Sequence, residues 1–95
     1  MRTVSSPSEW YSIQSKEEDG IVIYYSNSCP ACKEVMTWFS NKPSLHVYGI
    51  LVSQDNMESI VSNLVMIPTI ERFHYYQVED TVEGYNPEKL SRMCQ

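Results

Sequence analysis

Between residues 21 and 52 an apolar segment, a helical stripe and a second apolar segment follow one another, and few arrangements accept that order. Ile21 to Tyr25 is apolar and β-branched at its start, the pattern of a buried strand. Cys32, Val35, Met36 and Phe39 then recur at i, i+3, i+4 and i+7, one core-facing stripe of a helix. Ser28 is positioned to cap that helix, Pro30 falls in its first turn, and Lys42-Pro43 stops it. His46 to Val52 is a second strand of the buried type. Two such strands flanking a helix predict a βαβ unit with its strands parallel.

The remaining segments extend this unit. Ser6-Pro7-Ser8-Glu9 has the form of a capping box and opens a helix that turns Trp10 and Ile13 inward and ends before Gly20. Asp55-Asn56-Met57-Glu58 resembles a second box, with Met57, Ile60, Val61 and Leu64 at helical spacing. Thr69 to Tyr76 and Val78 to Glu83 read as strands too close for a crossover, hence an antiparallel hairpin. Its turn near Tyr76-Gln77 lacks Gly or Asn-Gly. Asn86-Pro87 caps a last helix with Leu90, Met93 and Cys94 on one face. The order α-β-α-β-α-β-β-α predicts an α/β fold. A central mixed four-stranded sheet is flanked by helices on both faces, and Thr3-Val4 is the candidate for a fifth, edge strand. Residues 1–95 form one domain.

Charge and length exclude several functions. The formal charge is −5, from twelve acids and seven bases, and the bases form no patch, so nucleic acid is not an expected partner. The acids Glu17-Glu18-Asp19 are expected in a solvated loop. No apolar run approaches the ~20 residues of a membrane span, and the N-terminus does not read as a leader. A cytoplasmic monomer with no membrane contact is the expectation.

Three cysteines are present: Cys29, Cys32 and Cys94. An odd count with two in a C-x-x-C fits one reactive pair better than a disulfide framework. The pair lies where a strand meets a helix. Unpaired N–H groups and partial positive charge at a helix start favour a thiolate, and such cysteines have pKa values lowered to roughly 3.5–7.5. Cys29, at the exposed end, is therefore the candidate nucleophile. Cys32, one turn inside, is the candidate resolving thiol. The competing reading is half of a zinc site. Zinc needs two more ligands, and Cys94, His46 and His74 are the only candidates, so neither metal nor cofactor is expected. Cys94 reads as a core cysteine, and the two histidines as surface or edge residues.

With these residues in view, the chain resembles the thioredoxin/glutaredoxin superfamily over about residues 8–95. The resemblance rests on three motifs: Ile21-Val22-Ile23-Tyr24-Tyr25 leading into Cys29-Pro30-Ala31-Cys32-Lys33, then Ile67-Pro68-Thr69, then Gly84. It implies a thioredoxin-like fold, a cis bond before Pro68, and a cleft in which Pro68 faces the cysteines. It also implies substrate contacts from Pro30, Ala31, Ile67, Pro68 and Thr69, with the Ile67 backbone pairing with a substrate chain. The implied activity is reduction of protein disulfides through a reversible Cys29–Cys32 disulfide. Electrons would come from a thioredoxin-reductase-like or glutathione donor. A glutathione-dependent glutaredoxin, a disulfide-forming oxidase or isomerase, and an adaptor acting by protein binding are the alternatives. The chain departs from the thioredoxin pattern at Ser28, where Trp is usual, and at Ile23, where a buried Asp is usual. It departs from the glutaredoxin pattern at Tyr85-Asn86 after Gly84. Tyr85 is a candidate to line the cleft.

Overall fold

The computed structural model describes residues 1–95. Its elements are β1 (Arg2–Val4), α1 (Pro7–Lys16), β2 (Gly20–Tyr25), α2 (Pro30–Ser40), β3 (Val47–Leu51), α3 (Glu58–Val61), β4 (Thr69–His74), β5 (Gln77–Glu83) and α4 (Pro87–Met93). The sheet order is β1-β3-β2-β4-β5. β3 runs parallel to β1 and β2, while β4 is antiparallel to β2 and β5. The fifth strand at the amino terminus is thus real and lies at the parallel edge.

β2 is central because both of its faces are apolar. Val22 and Tyr24 pack with Trp10, Ile13, Ile50, Met57 and Phe73 on the side of α1 and α3. Ile21 and Ile23 pack with Val35, Phe39, Ile70, Val82, Leu90 and Met93 on the side of α2 and α4. A strand covered on both faces needs a continuous apolar run, which is what Ile21–Tyr25 supplies. Gly20 opens the strand because a Cβ there would lie 2.5 Å from the Phe73 ring.

Each long helix begins with proline after a capping residue. Ser6 Oγ accepts from Glu9 N at 3.2 Å, and Asn86 Oδ1 accepts from Lys89 N at 3.1 Å. The box at α1 is displaced by one residue, since the Glu9 carboxylate accepts from Ser5 N rather than Ser6 N. α3 departs from expectation more strongly. It is a single turn, its N-cap is Met57, and Asp55 makes no cap. The inward face is the expected one: Met57 is fully buried, and Ile60, Val61 and Leu64 pack on the same core. A single turn already docks those side chains, and Ser62-Asn63 adds little helix propensity beyond it.

The β4–β5 connection is a two-residue turn, Tyr75-Tyr76, one residue earlier than expected. Tyr75 has φ +53°, a conformation that costs a bulky residue about 1–3 kcal/mol. Glu79 is an extra residue in β5, a bulge between the pairs Phe73–Val78 and Arg72–Asp80. No helix is long and apolar enough to cross a membrane.

Candidate functional site

The chain leaves β2 at Tyr25 and enters α2 at Pro30, so the intervening loop delivers Cys29 to a helix start. Cys29 is itself the N-cap, with extended backbone (φ −108°, ψ 107°), and its Sγ accepts from Cys32 N at 3.1 Å. This corrects the expectation that Ser28 caps the helix. Pro30 occupies the first helical position, so the cap must be the residue immediately before it, and Ser28 stays exposed outside the helix. The capping atom and the candidate nucleophile are the same sulfur.

Cys29 and Cys32 are joined as a disulfide, with 5.2 Å between their Cα atoms. Their environments differ. Cys32 is 1% exposed, whereas Cys29 is partly open to solvent. Pro30 is exposed and Ala31 half-buried. The first turn of α2 carries no acidic side chain, so nothing there opposes a thiolate on Cys29. Ile23 is fully buried and packs against Val35 and Phe39 on the α2 side of the sheet. The strand position where a carboxylate would sit in the thioredoxin pattern therefore contributes only hydrocarbon.

The Ile67–Pro68 bond is cis, as the resemblance implies. Thr69 pairs with Tyr24, which carries the Ile67-Pro68 segment to the end of β2, beside the loop that bears Cys29. Two hydrogen bonds fix the segment. Thr69 Oγ1 donates to Met66 O at 2.7 Å, and Gly84 N donates to Pro68 O at 2.8 Å. Gly84 has φ +78°, a value open to glycine, which explains its place at the exit of β5. Around this segment Ile67 is half-buried, Pro68 and Thr69 are buried, and Val65 and Met66 are exposed. The loop after α3 thus presents apolar side chains to solvent next to the cis proline. Tyr85 lies in a groove of about 430 Å³ with Lys33, Glu34, Thr37, Trp38 and Asn41, on the flank of α2.

The other residues singled out from the sequence lie at the opposite end of β2. His46 Nδ1 pairs with the Glu17 carboxylate at 2.5 Å, and His74 Nδ1 contacts Glu18 O at 2.5 Å. Cys94 is half-buried at the end of α4, where burial pushes its thiol pKa up and Arg72 pulls it the other way. These three side chains are separated from the cysteine pair by the length of the strand. The acidic loop Glu17-Glu18-Asp19 is solvated as expected, with Glu18 and Asp19 exposed, and it also serves as an anchor. Asp19 takes Arg72 Nε at 2.9 Å and Nη2 at 3.0 Å, and Glu17 O accepts from Tyr75 N. Arg72 Nη1 also donates to Met93 O at 2.7 Å and Gln95 O at 3.1 Å, tying in the end of α4. No local signal marks Arg72, since its partners lie far off in the chain.

One further polar pair sits inside the sheet. Glu71, on the α1 side, has its carboxyl pKa raised by burial, against a lowering hydrogen bond from the Tyr24 hydroxyl. Tyr24 is pushed up in turn by burial and by Glu71.

No family model matches the sequence, and no curated protein matches it. Solved structures do match the fold. A thioredoxin from Plasmodium falciparum superposes with a TM-score of 0.85 at 22% identity, over 97% of this chain and 94% of that one. The thioredoxin of Malassezia sympodialis gives 0.83 at 19% identity, over 97% and 85%. Mitochondrial thioredoxin 3 of Saccharomyces cerevisiae, in its oxidized form, gives 0.81 at 14% identity, over 97% and 91%.

Proposed function

We propose that this thioredoxin-fold protein is a thiol–disulfide oxidoreductase that reduces disulfides in other proteins. The observation that carries the reading is the unequal pair at the start of α2: Cys29 half-open and bonded to a helix-start amide, Cys32 buried one turn inside. The fold shared with three thioredoxins supports it.

In the reduced protein the Cys29 thiolate attacks one sulfur of a substrate disulfide. The substrate S–S bond breaks, a Cys29–substrate mixed disulfide forms, and the departing substrate thiolate takes a proton from water. Cys32 then gives up its proton to solvent and attacks Cys29 Sγ. The mixed disulfide breaks, the second substrate thiolate leaves, and the Cys29–Cys32 disulfide remains. Two electrons have passed from the pair to the substrate. A thiol donor returns them, either a thioredoxin-reductase-like enzyme or two molecules of glutathione that leave as glutathione disulfide. Pro30 and Ala31 on one side and the Ile67-Pro68-Thr69 segment on the other flank the substrate, the Ile67 backbone pairing with the substrate chain while buried Pro68 and Thr69 hold that segment in place. Exposed Val65 and Met66 widen its apolar part. A cytoplasmic monomer suits this role.

Reduction of insulin, with dithiothreitol as donor, tests the assignment. Wild-type protein is expected to accelerate it, and Cys29→Ser and Cys32→Ser are not. Equal rates in all three would overturn the proposal. Substituting glutathione with its reductase, or thioredoxin reductase, then identifies the donor.

A further inference from the structure

The pole opposite Cys29 carries an anomaly that the redox chemistry does not use. A two-residue hairpin turn is best served by Asn-Gly or a similar pair, because one or both residues need positive φ. Here the turn is Tyr75-Tyr76, with Tyr75 at φ +53°. Burial of the rings does not offset that local cost, since Tyr75 is 39% exposed and Tyr76 60%.

The surroundings extend the aromatic surface. The Tyr76 hydroxyl donates to Tyr11 O at 3.3 Å, and Tyr11 on α1 is 51% exposed. Val78 pairs with Phe73, whose ring packs 5.1 Å from that of Trp10 on α1. Val78 therefore emerges on the same side as Tyr11, and it is 52% exposed. Tyr75 stacks edge-on against His74, 4.7 Å between ring centroids, and so links this surface to the polar pocket of Glu18, His74 and Glu79. At its rim Glu18 and Glu79 form no ion pair, and Lys16 beside them is unpaired.

We propose that the face formed by Tyr11, Tyr75, Tyr76 and Val78 docks a protein segment that combines basic and apolar side chains. Exposed aromatics with free carboxylates at their rim suit Arg and Lys, whose stems lie on the rings while their charges meet the acids. A second copy of this chain is disfavoured, because each copy carries −5 and would bring like-charged rims together. The face lies at the other end of β2 from the cysteine pair, so a docked segment leaves Cys29 free for its own substrate.

The test uses the full chain, labelled for amide NMR, and two twelve-residue probes: alternating Arg and Leu, and alternating Glu and Leu. The Arg/Leu probe is expected to shift amides at Tyr11 and from His74 to Glu79, with affinity falling as salt rises. Replacing the turn with residues suited to a positive φ at its first position alone, Tyr75→Gly with Tyr76→Ser, is expected to weaken that probe at least tenfold. The same change should raise the melting temperature by roughly 2–8 °C and leave insulin reduction unchanged. Should that variant fail to fold, Tyr11→Ser with Val78→Thr gives the same reading from α1 and β5. Equal binding of the two probes, shifts spread over the acidic surface or centred on Cys29, or affinity within twofold of wild type in a folded variant would overturn the proposal.

Discussion

The two ends of β2 are built from opposite materials. At its carboxyl end the chain places a sulfur, a cis proline and exposed apolar side chains, and the bonds that hold them are mainly to backbone atoms. At its amino end it places charges that are largely spent on one another: Arg72 on Asp19 and the end of α4, His46 on Glu17. One end is left open to chemistry, and the other is tied together through Arg72, beside a hairpin that keeps its tyrosines exposed. An unengaged polar or nucleophilic group costs stability and gains reactivity, so a small domain benefits from keeping the two apart.

The largest expected effect lies at the open end. Cys29→Ser should lower disulfide reduction by about three orders of magnitude or more, because the nucleophile is gone while the cap is kept. Its melting temperature should stay near that of the reduced wild type. Cys32→Ser should instead trap a substrate on Cys29, seen as an added mass that dithiothreitol removes. A Cys29→Ser protein that still turns over would break the contrast between the two ends.

Next comes the rate at which Cys32 resolves the mixed disulfide. With Ile23 where a carboxylate would sit, no acid lies at that position to take the proton. The resolving rate should then rise about tenfold per pH unit while the thiol is the dominant form. Rapid-quench measurement between pH 6 and 8 checks this. A flat profile would reveal a relay group at an end where the Ile23 position contributes only hydrocarbon.

At the tied end, Arg72→Met should cost about 1–2 kcal/mol of stability. Most of that comes from the carbonyls of Met93 and Gln95, because the pair with Asp19 is largely exposed and screened. Thermal melts read the loss, and insulin reduction below the transition should be unaffected. A fall in activity at full folding would show that the two ends are coupled.

The unequal legibility of the ends has a physical cause. The open end is written in local order: a strand, a short loop, C-P-A-C and a stripe with period 3.6, each a near neighbour of the next. The one local departure there is the cap, which lies at Cys29 and not at Ser28 because Pro30 at the first helical position obliges Cys29 to cap as well as react. The tied end joins residue 72 to residues 19, 93 and 95 and residue 46 to residue 17. No periodicity announces such pairs, and only the sheet order brings them together. α3 was overestimated for a related reason, since a helical spacing of Met57, Ile60, Val61 and Leu64 is satisfied by one turn and a loop. Tyr75 occupies a positive-φ turn position that its residue type does not favour, so no local preference marks it.

The smallest effects are in the response to pH, and they oppose each other. Hydrogen bonds from Arg72 hold the Asp19 carboxyl below the usual carboxylate range. Its stabilisation is present above the unfolded value near ~3.9 and is lost as pH falls through the lower folded value. Burial raises Glu71 above its ordinary value, so its protonated form favours folding. That contribution is full at low pH and is lost as pH rises from the unfolded value through the raised folded one. Asp19→Asn should therefore destabilise at pH 7 by less than about 1 kcal/mol and change little at pH 2. Glu71→Gln should stabilise slightly at pH 7 and have no effect at pH 3. Melting curves across pH for the two variants should diverge in opposite directions.

Because one sulfur both caps α2 and forms half of the disulfide, the helix start senses oxidation state. A thiolate accepts the Cys32 N–H as a charged partner, while a disulfide sulfur is a weak neutral one. Reduction should tighten the first turn and slow exchange of that amide, and oxidation should loosen it. The coupling is reciprocal. A protein that grips this turn will favour the reduced pair, and one that prises it open will favour the disulfide. The mechanical state of a single turn of helix and the electron count of the protein are thus two readings of the same bond.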